Sequence, residues 1–148
     1  MKRTKWPSAI LFVLLFADTG LSCVCTTPDV KVAFKRANVV FAGEVISIRK
    51  GRARFKVTQA WKGVSGSEVT LIMGGAILRR NKKHYEVAAH TSCDIEFEKG
   101  ERYLVYGSDS GGYVRAWTCS RTARLAYAQD DLKELRELRP LRVNRNRS

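Results

Sequence analysis

The spacing of four cysteines is the strongest constraint on how this chain of 148 residues can fold. Cys23 and Cys25 are almost adjacent, whereas Cys93 and Cys119 stand far from them and from each other. A bridge between Cys23 and Cys25 would close a very small, strained loop. Zinc-binding cysteines usually come in closely spaced pairs, and Cys93 and Cys119 have no near neighbour of that kind. We therefore expect two long-range disulfides, in either of the two long-range pairings.

The N-terminal segment, residues 1–22, indicates that these cysteines belong to an exported domain. Basic residues precede the apolar run Ala9–Ala17, which is too short to cross a hydrocarbon core about 30 Å thick. A basic start, a short apolar run and small residues at Gly20 and Ser22 are typical of a secretory signal. We expect cleavage after Ser22, so that the mature chain begins at Cys23 in a compartment where disulfides persist.

A cysteine at the cleavage point also raises the alternative of lipid attachment at Cys23. Bacterial lipoprotein signals usually place leucine three residues before the cysteine, and here Leu21 stands two residues before it. Lipidation would also leave one thiol without a partner. We therefore favour a secreted, extracellular protein. A periplasmic or lipid-anchored envelope protein is the alternative if the source is bacterial.

The mature chain has the pattern of one mainly β domain, residues 23–138. Five segments are rich in β-branched and aromatic residues or alternate between apolar and polar residues. These segments are Val39–Ile48, Arg52–Trp61, Glu68–Met73, Arg102–Tyr106 and Tyr113–Thr118. Five short strands in a domain of this size favour a closed barrel of the OB type.

A short helix is predicted before the strands and another after them. The sequence Thr-Pro-Asp at 27–29 predicts a helix start, with Thr27 as the N-cap and the helix continuing to about Ala37. The second helix is predicted over Leu125–Leu138, with leucines on its packed side.

Three other segments are expected to depart from regular structure. Gly43 interrupts the first strand and predicts a bulge there. The segment Gly74–Ser92 has little periodicity, and we expect a long loop. The basic segment 139–148 is expected to be a disordered tail.

The charge of the chain favours a polyanionic partner. The formal net charge is +13, and removal of residues 1–22 would leave +11, which attracts sulfated glycans or nucleic acid. Because export and disulfides argue against nucleic acid, a sulfated glycan is the expected form of such a partner. The candidate contacts are Arg49, Lys50, Arg52, Arg79, Arg80, Lys82 and Lys83.

No motif of a known enzyme class is present in the sequence. The chain has two histidines, and it lacks the H-E-x-x-H, G-x-S-x-G and P-loop patterns. Asp94, Glu96 and Glu98 alternate, and we expect them to form a solvated face of a strand. Bridged cysteines cannot act as nucleophiles. We therefore expect a monomer that is not an enzyme, with no cofactor and no transmembrane segment.

Two stretches of sequence carry a resemblance to a known family. The mature chain would begin Cys-Val-Cys-Thr-Thr-Pro at 23–28, and the first strand contains Ala-Asn-Val-Val-Phe-Ala-Gly at 37–43. Lys62-Gly63 and the strand Tyr103–Tyr106 also fit. The chain resembles the netrin-like module, and most closely the N-terminal domain of tissue inhibitors of metalloproteinases. The resemblance covers nearly all of Cys23–Glu137 and implies the OB barrel.

The resemblance implies the disulfides Cys23–Cys93 and Cys25–Cys119 and a role as an inhibitor of zinc metalloendopeptidases. In that family the α-amine and carbonyl oxygen of the first cysteine chelate the protease zinc and displace its water. Here the chelating residue would be Cys23, which binds the zinc of the protease and none of its own. The further residues expected to contact the target are Val24, Cys25, Thr26, Thr91 and Ser92.

The chain differs from the animal inhibitors in lacking their third disulfide and second domain. It also carries Val24 where threonine or serine is usual. Many netrin-like modules within larger proteins inhibit nothing. The alternative is therefore a secreted, basic binding module for sulfated glycans, extracellular matrix or cell-surface partners, without protease inhibition.

Overall fold

The computed structural model describes residues 23–79, 85–109 and 111–138. The predicted signal 1–22 and tail 139–148 lie outside the described residues. In chain order the elements are α1 (Val30–Arg36), β1 (Val39–Arg49), β2 (Arg52–Lys62), β3 (Glu68–Ile72), β4 (Ile77–Arg79), β5 (Tyr85–Val87), β6 (Arg102–Asp109), β7 (Val114–Arg115), a 3₁₀ turn (Thr118–Ser120), β8 (Ala123–Arg124), a second 3₁₀ turn (Leu125–Tyr127) and α2 (Gln129–Leu135). Within the described ranges no helix is long and apolar enough to cross a membrane.

Five strands close into a barrel, which confirms the predicted OB-like fold class. The hydrogen-bonded order is β1-β2-β3-β7-β6, and β6 pairs again with β1 to complete the circle. These pairings are antiparallel except for the one between β3 and β7, which is parallel at Leu71 and Val114. The five barrel strands correspond to the five segments that the sequence predicts. The short β8 adds to β6 beside the barrel.

The barrel interior follows from the alternation along β2. Ala53, Phe55 and Val57 are buried, while the intervening Arg54 and Lys56 are exposed. Phe55 packs edge to face against three aromatic rings, which belong to Phe41, Phe97 and Tyr103. Edge-to-face packing of this kind adds to the hydrophobic gain from burial.

The predicted bulge at Gly43 is present, and the first hairpin closes with a two-residue turn. The register of β1 against β2 shifts between Ala42 and Gly43, and a Cβ on Gly43 would lie 2.8 Å from the Lys56 carbonyl oxygen. Lys50 and Gly51 both have positive φ, 50° and 70°, as a two-residue type I′ hairpin turn requires.

Two expectations about local structure are wrong. Helix α1 has Asp29 as its N-cap and begins at Val30, not after Thr27. The segment Gly74–Ser92 is not a loop throughout, because β4 and β5 pair within it, with Ile77 opposite Val87. Strands of three residues are too short to show a period of two in the sequence.

A second apolar cluster joins α1 and α2 to the outer face of the barrel. Val30 and Ala33 of α1, Trp61 and Leu104 of the barrel, and Leu135 of α2 are buried in it. The predicted C-terminal helix is shorter than expected, because Leu125–Tyr127 forms a 3₁₀ turn and α2 starts at Gln129. This packing brings α1 and α2 into contact with each other on the same face of the barrel.

Candidate functional site

Two disulfides attach the segment 23–25 to the barrel. Cys23 is bonded to Cys93 and Cys25 to Cys119, with Cα–Cα distances of 5.4 and 5.3 Å. Of the two long-range pairings, this is the one that the family resemblance implies. The bridged residues are 70 and 94 positions apart, and loops of that size correspond to about 4 kcal/mol of stabilisation each in the chain-entropy model.

The two disulfides lie in contact with each other. Cys23 Sγ lies 3.9 Å from Cys119 Sγ and 4.0 Å from Cys25 Sγ. The three sulfur atoms lie within 4.8 Å of one another, a spacing that would suit a metal ion. Metal binding requires thiolates, and the described cysteines are all bonded in pairs. The sulfur cluster is therefore a covalent anchor for the segment.

Val24 projects from this anchor into solvent, with 95% of its surface exposed. Its neighbours Cys23 and Cys25 are half-buried because their side chains reach the barrel loops. In an extended chain successive side chains point to opposite sides, so the residue between two bridged cysteines points outward. Thr26 is exposed as well. The bridged segment 23–25 therefore presents one large apolar side chain, that of Val24, to solvent in a fixed position.

A buried ion pair holds the loop that carries Thr91 and Ser92. Arg115 Nη2 donates hydrogen bonds to Asp94 Oδ1 at 2.7 Å and to the Ala89 carbonyl oxygen at 3.1 Å. The Thr91 amide donates to Asp94 Oδ2 at 2.7 Å. Thr91 and Ser92 are exposed on this loop, next in sequence to the half-cystine that bonds Cys23. We name residues 89–94 the Asp94 loop.

The expectation that Asp94 lies on a solvated strand face is wrong. Only 3% of its side chain is exposed, and it forms an isolated bridge with Trp117 rather than part of a strand. Glu96 and Glu98 are exposed, as predicted, but they lie in an irregular segment and not on a strand. The alternation of acidic residues did not distinguish Asp94 from the other two, because its partner Arg115 is distant in sequence.

A second set of contacts joins the two loops that carry Cys93 and Cys119. The Thr118 amide and hydroxyl donate to the Cys93 carbonyl oxygen at 2.9 and 3.1 Å. The guanidinium of Arg115 also lies over the ring of Trp117, 4.3 Å from its centroid. The loops that carry Cys93 and Cys119 are therefore joined by hydrogen bonds as well as by the disulfides.

Arg121, held by Asp131 of α2, binds the chain just after the disulfide segment. Arg121 Nη1 donates to the Pro28 carbonyl oxygen at 2.7 Å, and its Nε donates to Asp131 Oδ2 at 2.9 Å. Tyr106 donates its hydroxyl to the same carboxylate oxygen at 2.9 Å. Burial and the Asp131 carboxylate raise the pKa of Tyr106, and the hydrogen bond to Asp131 raises the pKa of Arg121. The sequence offered no motif for this network.

The predicted basic contacts are only partly described by the structure. Arg49 and Arg52 lie directly opposite each other across β1 and β2, and Lys50 is exposed in the turn between them. Arg79 ends β4. The candidates Arg80, Lys82 and Lys83 lie outside the described residues. Three of the predicted cations are thus brought together at the tip of one hairpin.

The chain matches no protein-family model and no curated protein sequence.

Proposed function

We propose that the mature chain, beginning at Cys23, is a secreted inhibitor of zinc metalloendopeptidases. One observation carries the proposal: two disulfides anchor the Cys-x-Cys segment so that Val24 is 95% exposed between two fixed neighbours. An exposed valine has no role in the core of the protein. It is in the position expected of a side chain that enters the pocket of a partner.

The chemistry of inhibition is zinc chelation by the backbone of Cys23. Its sulfur is bonded to Cys93 and cannot coordinate a metal, which leaves the α-amine and the carbonyl oxygen as the ligands. A zinc ion favours the neutral amine, as it favours deprotonation of other bound ligands. Occupation of the open coordination position displaces the water that the protease uses as its nucleophile.

Preorganisation supports this chemistry. A flexible N-terminus would lose conformational entropy on binding, and a segment that is already fixed loses less. Here the disulfides fix residues 23–25, and the contact from Arg121 fixes the carbonyl oxygen of Pro28. Thr26, Thr91 and Ser92 would flank the zinc ligands as further contacts, with the Asp94 loop held in place by Arg115.

The test is a titration against a panel of zinc endopeptidases. The mature form beginning at Cys23 is compared with the same protein carrying one extra N-terminal alanine. The extension converts the α-amine into an amide, which cannot chelate, and the disulfides stay intact. We expect inhibition by the first form and none by the second, with equal melting temperatures. Equal inhibition by both forms, or inhibition by neither, would contradict the proposal.

One observation favours the alternative, a binding module for sulfated glycans. Arg49 and Arg52 face each other across two strands, with Lys50 in the turn between them. Like charges placed directly opposite destabilise a sheet, and a bound sulfate would relieve the repulsion. We expect Arg49→Ser with Arg52→Ser to lower the salt needed for elution from immobilised heparin.

The matched control for the glycan test is Arg54→Ser on the same strand. Arg54 already has a carboxylate partner, because its Nε lies 3.6 Å from Glu68 Oε2. Elution unchanged in the double variant, or lowered equally by the control, would show that the hairpin tip is not a glycan site.

A further inference from the structure

An apolar cleft of about 510 Å³ lies between α1 and the disulfide anchor. Ala33 and Ala37 of α1 form one side, and Trp117 with the half-cystines Cys93 and Cys119 forms another. Pro28 also contributes to the lining. The volume is within the range of pockets that hold small organic ligands, roughly 300–1,000 Å³. An open cleft of this size does not contribute to core packing, because it leaves apolar surface in contact with water.

We propose that this cleft binds a small amphipathic anion, such as a medium-chain carboxylate, with its apolar chain against the alanine and tryptophan wall and its head group at Arg36. Binding at this site does not depend on zinc chelation by Cys23. The inference therefore goes beyond the proposed function and stands or falls separately.

Arg36 determines the charge of the ligand. Of the residues that the structure describes, it is the one charged residue that lines the cleft, and it is exposed in the last turn of α1. The ion pairs that the structure describes all involve other residues. An unpaired guanidinium beside an apolar surface fits a carboxylate, phosphate or sulfate that carries a hydrocarbon chain.

The walls of the cleft are held in place without a ligand. Cys93 and Cys119 are each fixed by a disulfide, and Trp117 lies under the guanidinium of Arg115. Ala33 and Ala37 belong to the buried cluster that joins α1 to the barrel. Preformed walls reduce the entropic cost of binding, as is usual for small-molecule sites.

The test measures binding of decanoate and decanol to the oxidised, exported protein by calorimetry, below the concentration at which either forms micelles. We expect saturable binding of decanoate and weaker binding of decanol. Over a series of shorter carboxylates, affinity should rise by about fourfold for each methylene group that enters the cleft.

Two variants locate the site. Arg36→Gln should weaken decanoate binding by about fivefold, the size expected for a partly exposed ion pair, and should leave decanol binding unchanged. Lys35→Gln is the matched control, because Lys35 is exposed on the same helix but does not line the cleft. Ser108→Phe, at a half-buried lining position on β6, should fill the cleft and abolish binding of both probes.

Three results would overturn the proposal. One is the absence of saturable decanoate binding, and another is an equal effect of Arg36→Gln and Lys35→Gln. The third is self-association of the chain, measured by sedimentation, that is abolished by Ser108→Phe and unaffected by decanoate. That result would mean that a second copy of the chain occupies the cleft. The Arg36 variant changes an exposed side chain, so the test does not depend on whether the Ser108 variant folds.

Discussion

Arg115 and Asp94 form a nearly buried ion pair, with 2.7 Å between Arg115 Nη2 and Asp94 Oδ1. Only 9% of the arginine side chain and 3% of the aspartate side chain are exposed. The other carboxylate oxygen accepts the Thr91 amide, so one side chain ties the Asp94 loop to the barrel and shapes it locally. The position of the exposed residues Thr91 and Ser92, next to the Cys23–Cys93 disulfide, therefore depends on the ion pair between Arg115 and Asp94.

Asp94→Ala is expected to lower the free energy of unfolding by about 3 kcal/mol, because it leaves Arg115 as an unpaired buried charge. The guanidinium of Arg115 is already incompletely hydrogen-bonded, because its Nε lacks a partner among the described residues. Urea unfolding measures the effect. The control is Glu68→Ala, which breaks the exposed pair with Arg54 and should cost less than about 1 kcal/mol. A similar loss in both variants would contradict the assignment.

Gly74→Ala is expected to be destabilising by about 1–3 kcal/mol through overpacking. A Cβ at Gly74 would lie 2.8 Å from Asp94 Oδ2 and from His90 Cα, and closer still to His90 Nδ1. Gly66→Ala is the matched control, because a Cβ there meets nothing nearer than 3.7 Å. Thermal unfolding of the two variants gives the comparison. If the melting temperature of Gly74→Ala equals that of the wild-type protein, the Asp94 loop is not packed against this glycine.

Stability is expected to fall above pH 10 because of Tyr106. Its pKa is raised by burial, by the Asp131 carboxylate and more weakly by Glu134, and Arg121 opposes the shift. The folded state thus keeps a proton that the unfolded state loses, so unfolding becomes more favourable as pH rises. With an unfolded pKa of about 10, the loss between pH 9 and pH 11 is about 1.4 kcal/mol.

Tyr106→Phe should remove this dependence. The difference in unfolding free energy between the wild-type protein and the variant, measured in urea at pH 9 and at pH 11, should shrink by the same amount. The other tyrosines cancel in that difference. A constant difference across the two pH values would mean that Tyr106 titrates alike in both states.

Val24→Ala should leave stability within about 0.5 kcal/mol of the wild-type value, because the side chain is almost fully exposed. If Val24 enters a protease pocket, the same change should weaken inhibition by about tenfold or more. Val32→Ala is the control for inhibition, because Val32 is a surface valine on α1, outside the segment 23–26, and its truncation should leave inhibition unchanged. Unchanged inhibition in the Val24 variant would place the contact elsewhere.

The sequence by itself determined the barrel and the presence of two long-range disulfides. The strands were predictable because burial in a sheet alternates with every residue, as Ala53, Phe55 and Val57 show against Arg54 and Lys56. The bulge at Gly43 and the turn at Lys50-Gly51 were predictable for a related reason. Each depends on the backbone freedom of one or two residues, which is a local property.

Only the tertiary structure decided which distant side chains meet. Asp94 and Arg115 are 21 positions apart, and neither differs in the sequence from the solvated charges around it. The Tyr106–Asp131–Arg121 network and the cleft beside Arg36 likewise join segments that approach only when the barrel closes and the helices pack. Charges and hydroxyls have no periodic signature, because their partners are set by the path of the chain through space and not by their neighbours along it.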